Sequence, residues 1–385
     1  MTAWGSLASS GQVASGDRLA AMAEAAAAHP LDAVHADLGA EWIEEGGRAV
    51  PGRYGDLAGE HRAIVEGRAF ADRSWVDLLE LRGADRRRFL HGLVTCDVQG
   101  LAAGASAYGF VSSVQGRILA EAVVVAREQS LLVELPAGSG RAVAQHLGKY
   151  VIADDVIIEA RPDLQAVTLF GSEAELELGA AALAPGTWTA APATLFEIPV
   201  LADRRPVWGM TALTLWVAPG EAAAFFQRLL EAGRCVGLQP VGLSALEARR
   251  VELGVPRFGR DFGPPSAEDP GYFPQETGLD EQAVSYTKGC YLGQEVIARI
   301  HYRGQVNRVL RGLRLPPNAD VDALADGAEV RFEGRPLGSL SSAVRSPALA
   351  ASVALAILHR RGADPGTRVE VEGAGEAEVT VLPFV

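Results

Sequence analysis

The residues most able to do covalent chemistry sit together in the run Lys288-Gly289-Cys290-Tyr291-Leu292-Gly293-Gln294-Glu295. A thiol reacts as its thiolate, so it needs a neighbour that lowers its pKa. Lys288, two residues before Cys290, supplies positive charge. A helix opening at Gly293-Gln294-Glu295 adds the pull of its N-terminal amides. Gly289 and Gly293 lack a Cβ, so the backbone there can turn sharply or approach a ligand closely. Tyr291 offers a stacking face and a hydroxyl. Against this stands a plainer reading, since a lone cysteine is more often a small buried hydrophobe than a nucleophile. Cys96, following Val94-Thr95, and Cys235, beside Val236, read as core.

A second chemical feature is His301, within Arg299-Ile300-His301-Tyr302-Arg303. The stretch from Arg299 to Arg314 holds five arginines and no acid. Aromatic residues do not interleave with these arginines as a single-strand nucleic-acid binder requires, so the stretch reads as a solvated strand edge. The net charge of −13 over 385 residues argues the same way, because an acidic body repels phosphate backbones. The three cysteines are odd in number and widely spaced, with no CxxC pair, so neither a zinc site nor a disulfide framework is indicated and a reducing, cytoplasmic compartment fits. No P-loop, Rossmann fingerprint, GxSxG or HExxH is found. No apolar run reaches membrane-spanning length.

Elements must position these residues. A chain of this length predicts more than one core. Residues 1–30 read as a flexible tail with a surface helix from Asp17 to Ala28, stopped by Pro30. Strands are predicted at 76–81, 107–112, 118–125 and 131–135, followed by a helix over 139–150. A similar order then recurs, with strands at 195–201 and 211–217, a polar turn at Asp203-Arg204-Arg205, and a helix over 220–232 carrying Phe225, Phe226, Leu229 and Leu230. The repeated strand–strand–helix unit predicts an α+β body with antiparallel sheets, extending over 31–303 and built as two subdomains. Residues 255–285, rich in Pro, Gly and acid, read as an ordered loop. From 306 to 385, short β runs separated by Gly and Pro turns predict a small terminal β-barrel or sandwich.

The string KGCYLGQE resembles the signature K-G-C-Y-x-G-Q-E of the YgfZ folate-binding family. Residues 273–279 look like that family's F-x-P-Q-x-T-x-L segment, and Val296 to Arg299 with Arg303-Gly304 match the stretch on the C-terminal side of its signature. The rest of the chain after Leu31 resembles the wider superfamily of the glycine-cleavage T-protein. Gly83-Ala84-Asp85 to Val98 looks like its G-x-D-A…L-x-x-x-D-V segment, and Arg250, Glu252, Gly254 and Pro256 fit its R-x-E-x-G-x-P pattern.

The resemblance implies a pseudo-repeated body of the T-protein type with a tetrahydrofolate pocket at its centre, closed by a C-terminal barrel. It implies a tetrahydrofolate or substituted reduced folate as cofactor, with Arg250 and Gln275 among its contacts. In the YgfZ reading Cys290 serves an accessory role in assembly or repair of iron–sulfur enzymes, including tRNA-modifying ones, without classical turnover. The alternative is a folate-dependent aminomethyltransferase or related one-carbon transferase. T-proteins carry adjacent aspartates where this chain has Ala120-Glu121, and their G-Y-T-G-E-x-G segment is replaced around Trp208-Gly209-Met210-Thr211. Ala120 cannot act as an acid, and Glu121 is expected to face the wrong side of its strand. On that ground the accessory reading is preferred, with Glu121 catalytic only in the alternative. No resident metal is expected, because one cysteine cannot supply the four ligands of a cluster.

Overall fold

The computed structural model describes residues 29–171, 175, 178–179, 186–267, 269–324 and 327–385. The surface helix expected over 17–28, and nearly all of the expected tail, lie outside these residues. The described chain opens with helix α1 (Asp32–Asp37), the hairpin β1 (Glu41–Glu45) and β2 (Arg48–Arg53), and helix α2 (Leu57–Val65). Asp56 caps α2 by accepting the Gly59 N–H, which satisfies one of the orphan donors of the first turn.

Two sheets then form the body. Strands β3 (Ala69–Asp72) and β4 (Asp77–Arg82) are consecutive but belong to different sheets. After helix α3 (Arg86–His91) come β5 (Ser106–Ser112), β6 (Ile118–Ala126), β7 (Leu131–Leu135), helix α4 (Gly140–Gly148) and β8 (Ile157–Ala160). These close the first sheet in the order β5-β6-β7-β4-β8, antiparallel throughout. The second half supplies β9 (Gln165–Phe170), β10 (Thr189–Leu195), β11 (Ile198–Arg204), β12 (Ala212–Val217), helix α5 (Pro219–Arg234) and the short β13 (Gln239–Pro240). Its sheet runs β10-β11-β12-β9-β3-β13, antiparallel except where β13 pairs with β3. The repeated unit predicted from the sequence is therefore a pair of sheets, each backed by a helix.

One predicted strand crosses a turn. The run 195–201 spans the tip of the β10–β11 hairpin, and pairing continues through Arg204, where the sequence predicts a polar turn. Phe196 and Glu197 both hold positive φ, at 55° and 64°. Positive φ at both central residues is the backbone signature of a type I′ turn, which asparagine and glycine usually announce. Here two bulky residues adopt it, so the turn carries no compositional signal.

Helix α6 (Leu243–Glu252) leads into the loop of residues 255–272, which contains no regular element before α7 (Pro274–Thr277) and α8 (Asp280–Ala283). Helix α9 (Gln294–Arg303) comes next. Residues 299–303 thus lie on a helix, not on a strand edge. Ile297 is fully buried, and it and Val296 pack against Gly116 of the β5–β6 turn. His301 stacks on Tyr286, ring centroids 3.7 Å apart.

The remainder is a closed barrel of β14 (Arg308–Arg314), β15 (Glu329–Phe332), β16 (Arg335–Ser346), β17 (Ala351–His359), β18 (Arg368–Val371) and β19 (Gly375–Thr380). The order is β14-β17-β16-β15-β18-β19, with β14 pairing back to β19. Closure removes every free sheet edge. The architecture is therefore an α+β body with a small C-terminal β-barrel. No helix among the described residues is long and apolar enough to cross a membrane.

Candidate active site

A cavity of about 1420 Å³ lies at the centre of the body. Its walls come from β6 and β7 of the first sheet, from residues just after β3 and β11 of the second, from the loop 255–266, and from Ser339–Ser341 of the barrel. It exceeds the usual span of roughly 300–1,000 Å³ for small-molecule sites, so a ring system with a tail fits inside.

The pleat of β6 decides which side chains reach it. Ile118, Ala120, Val124 and Ala126 belong to the core packed behind the sheet and stay out of the cavity lining, while Ala122 belongs to both. The intervening positions turn the other way, and Glu121 and Val123 line the cavity. Glu121 therefore faces the functional side of the strand, contrary to the expectation from sequence, and Ala120 occupies a core position where no acid could reach a ligand. Tyr108, Val123 and Glu134 form one row across β5, β6 and β7. Glu121 thus sits diagonally from Glu134 on the same face, a relation that places the two residues about 7–8 Å apart.

The Tyr108 hydroxyl donates to Glu121 Oε1 at 2.6 Å, and the Phe258 N–H donates to Oε2 at 3.3 Å. Burial pushes the Glu121 carboxyl up, and the Tyr108 bond offsets only part of that rise. The same burial, with the adjacent carboxylate, raises the Tyr108 phenol. A carboxyl held above its ordinary range and bonded to a phenol can hold a proton and pass it to a nitrogen in the cavity.

The adjoining wall is ionic. Glu134 accepts from Arg73 at 2.8 Å and from Arg205, which also donates to Asp203 at 2.8 Å. Arg73 follows β3 and Arg205 follows β11, so these contacts tie the second sheet to the first. Burial would raise the Glu134 carboxyl, but the two guanidiniums outweigh it and hold the group low. The Trp208 ring lies 5.9 Å from the Arg73 guanidinium and 5.1 Å from that of Arg257. Nothing in the sequence marks Arg73, Glu134 and Arg205. Arg205 belongs to the polar run Asp203-Arg204-Arg205, which reads as a turn and not as a site, and three distant segments must fold before the three residues meet.

The KGCYLGQE segment lies elsewhere: among the described residues, none of positions 288–295 lines the cavity. Gly293, with φ +84°, caps α9, so a helix does open where one was expected. A Cβ on Gly293 would stand 2.5 Å from Ser113 O and 2.8 Å from Gly116 Cα, so the glycine lets this loop seat against the β5–β6 turn. Gln294 and Glu295 form the first turn of α9. Lys288 Nζ donates to the carbonyls of His91, Val94 and Cys96 at 2.6, 2.7 and 2.8 Å. An ammonium has three N–H donors, so all are spent on the end of α3 and the loop after it. Burial pulls Lys288 down to about 8. Tyr291 is buried beneath the Lys288 ammonium, which stands 4.8 Å from its ring, and burial pushes its phenol up to about 12. Gly289 has only His91 Nε2 nearby, 3.8 Å from where a Cβ would stand.

Cys290 is exposed. Cys235 is exposed as well, correcting its assignment to the core: it is the C-cap residue of α5, beyond that helix's apolar stripe. Cys96 is buried, and burial pushes its thiol up to about 11. Arg250 does not reach the cavity. Its five N–H donors go to Glu247 twice, to the Val255 carbonyl, to Asp261 and to Ser342 of the barrel. It joins body to barrel and has no donor left for a folate. Gln275 donates to Tyr286 and to the Ile297 carbonyl, outside the cavity lining.

The GCVT N-terminal domain model matches residues 31–282, and the glycine cleavage T-protein C-terminal barrel domain matches residues 308–385. An aminomethyltransferase of Streptomyces avermitilis is 27% identical over 371 residues, covering 92% of this chain and 96% of the relative. One from Herpetosiphon aurantiacus is 28% identical over 364 residues, covering 92% and 97%. The crystal structure of the glycine cleavage system aminomethyltransferase T from Bartonella henselae superposes with a TM-score of 0.79 at 23% identity, covering 92% of this chain and 97% of that one. These relatives overturn the accessory role in iron–sulfur assembly expected from the Cys290 motif: they carry the name of the alternative activity. Two domain models that together span most of the described residues make this chain a member of the glycine cleavage T-protein family.

Proposed function

We propose that this chain is a reduced-folate-dependent one-carbon transferase of the aminomethyltransferase type, with Glu121 as its general acid–base. The single observation that carries this is the Glu121 carboxyl on the cavity face of β6, held above its ordinary range by burial and bonded to Tyr108. The aminomethyltransferases that match it along nearly their whole length support the same reading.

The cavity fits a reduced folate. Trp188, Trp208 and Phe258 offer apolar faces for a flat ring, while Glu121 and Glu134 offer acceptors for its N–H groups. When bound, the folate supplies the nitrogen that accepts the carbon. Glu121 holds a proton at Oε1 or Oε2 and exchanges it with the reacting amine, and Tyr108 fixes the carboxyl's orientation. The body, 31–303, carries the chemistry, and the barrel, 306–385, encloses the site through Ser339–Ser341. Three unpaired thiols agree with a cytoplasmic setting.

The test is turnover of an aminomethyl thioether donor with tetrahydrofolate, in which the methylene carbon passes to the folate while ammonia and the free thiol leave, followed by the absorbance of the product folate and by released ammonia. Formation of both by the native chain, and their loss in Glu121→Gln with tetrahydrofolate affinity retained, is the expected result. Absence of turnover in the native chain, or equal turnover in the variant, overturns the reading.

A further inference from the structure

The ionic wall contains a charged group that the fold leaves incompletely paired. Arg73 is 3% exposed, yet Nε and Nη1 have no hydrogen-bond partner. A guanidinium carries five N–H donors, and three of the Arg73 donors are on these two atoms. A buried charged donor without a partner is costly, and structures rarely keep one unless a ligand or water meets it. Arg205, on the same wall, contrasts with it: both Nε and Nη2 are bonded to carboxylates, and those carboxylates raise its guanidinium against the cost of burial. Burial instead pulls the Arg73 guanidinium down despite its single bond to Glu134. Asp203 pairs with Arg205, and its Oδ1 is also unpartnered. The wall therefore has unmet donors on Arg73, and it faces the cavity beside Trp208.

We infer that the Arg73–Glu134–Arg205 wall is a carboxylate subsite, in which the unpaired Arg73 N–H groups donate to one carboxylate of a ligand bound in the central cavity. This deepens the folate reading and rests on it for the identity of the second reactant. Two sources carry such a group: the glutamyl tail of the folate, or a small amino acid bound beside it. An amino acid with its carboxylate on Arg73 could place its nitrogen toward Glu121, because Glu121 lies diagonally from Glu134 on the same sheet face. Guanidinium–carboxylate bonds are charge-assisted and strengthen when water is excluded, so the subsite is selective for an anion over an amide of the same shape.

The experiment uses the full chain and two readouts. First, fluorescence of the native protein is titrated with acetate and with acetamide, and a Trp208→Phe variant isolates the response of the ring beside Arg73. A saturable response to acetate alone, absent from Trp208→Phe, is expected; an equal response to both, or none to acetate, overturns the subsite. This readout needs neither folate nor turnover, so it can fail while the transferase reading stands, and the reverse. Second, calorimetry compares tetrahydrofolate, tetrahydropteroate and N-methylglycine on native, Arg73→Met and Arg73→Lys proteins. Arg73→Met is expected to weaken one carboxylate ligand at least tenfold, with partial recovery in Arg73→Lys. Loss confined to tetrahydrofolate assigns the glutamyl tail, and loss confined to N-methylglycine assigns the amino acid. Unchanged affinity for all three ligands in a folded Arg73→Met overturns the proposal.

Discussion

The Cys290 loop and the Glu121 cavity make opposite use of polar residues. In the loop, the charged group is spent on holding the backbone: Lys288 gives every donor to carbonyls, and Gly293 packs on the turn before β6, while the buried Tyr291 hydroxyl has no partner. In the cavity such groups are held back: Glu121 sits above its ordinary range, and Arg73 keeps donors without partners. The loop has the more recognisable motif, and the cavity is where we propose the chemistry. A short glycine-rich motif can be demanding for packing reasons alone, while a titratable group shifted by burial inside a cavity is the stronger pointer to function.

The largest effect that could break this contrast is on catalysis. Glu121→Gln is expected to lower turnover by roughly 10²–10⁴-fold, the usual worth of a general acid–base, with circular dichroism unchanged. The same variant has a stability signature. Because the folded-state pKa of Glu121 is raised, the native state keeps its proton after the unfolded chain has lost its own, so stability falls as pH rises through that interval. Glu121→Gln removes that fall. Its melting temperature is therefore expected to exceed that of the native protein by more at neutral pH than below the ordinary carboxyl range. A pH-independent difference would show that Glu121 is not held above its unfolded value.

Next in size is the Arg250 hub. Arg250→Met leaves the buried Asp261 and the half-buried Glu247 beside a neutral side chain, and breaking such a cluster costs about 3–5 kcal/mol. Denaturant melts should show that loss, with earlier release of the barrel detectable by limited proteolysis. A change below about 1 kcal/mol would mean that the barrel is held mainly by apolar contact.

Lys288→Met sharpens the contrast at a smaller scale. It strands three carbonyls, so a loss of about 1–3 kcal/mol is expected, with tetrahydrofolate affinity unchanged. A drop in affinity without a drop in stability would return the loop to the functional side.

The smallest effect is expected at Cys290. Cys290→Ser, at an exposed position, should change stability by less than about 0.5 kcal/mol and leave turnover as it was. Timed alkylation should label Cys290 and Cys235 early and Cys96 only on unfolding, since Cys96 is buried and its thiol is pushed up to about 11. Early labelling of Cys96 would contradict its packing against Gly109.

Much of this molecule was determined locally. Alternating apolar runs located β4 to β7, the Phe225–Leu230 cluster located α5, and Gly-Pro punctuation after residue 306 announced the barrel strands. The motifs at 83–98 and 250–256 pointed to the family that the domain models match. Such signals are legible because propensity, periodicity and turn chemistry act over a few residues. Tertiary structure decided the rest. The β10–β11 turn is made by Phe196 and Glu197, residues that do not advertise positive φ, so only the pairing of the flanking strands reveals it. Arg250 resembles a ligand contact in sequence, yet its five donors are taken by body and barrel together. Glu121 and Ala120 are neighbours in sequence, and which of them faces the cavity depends on register, since a shift of one residue exchanges the two faces of a strand. Arg73, Glu134 and Arg205 come from three separate segments, and a charge with unmet donors is a property of the assembled wall that no single stretch of chain possesses.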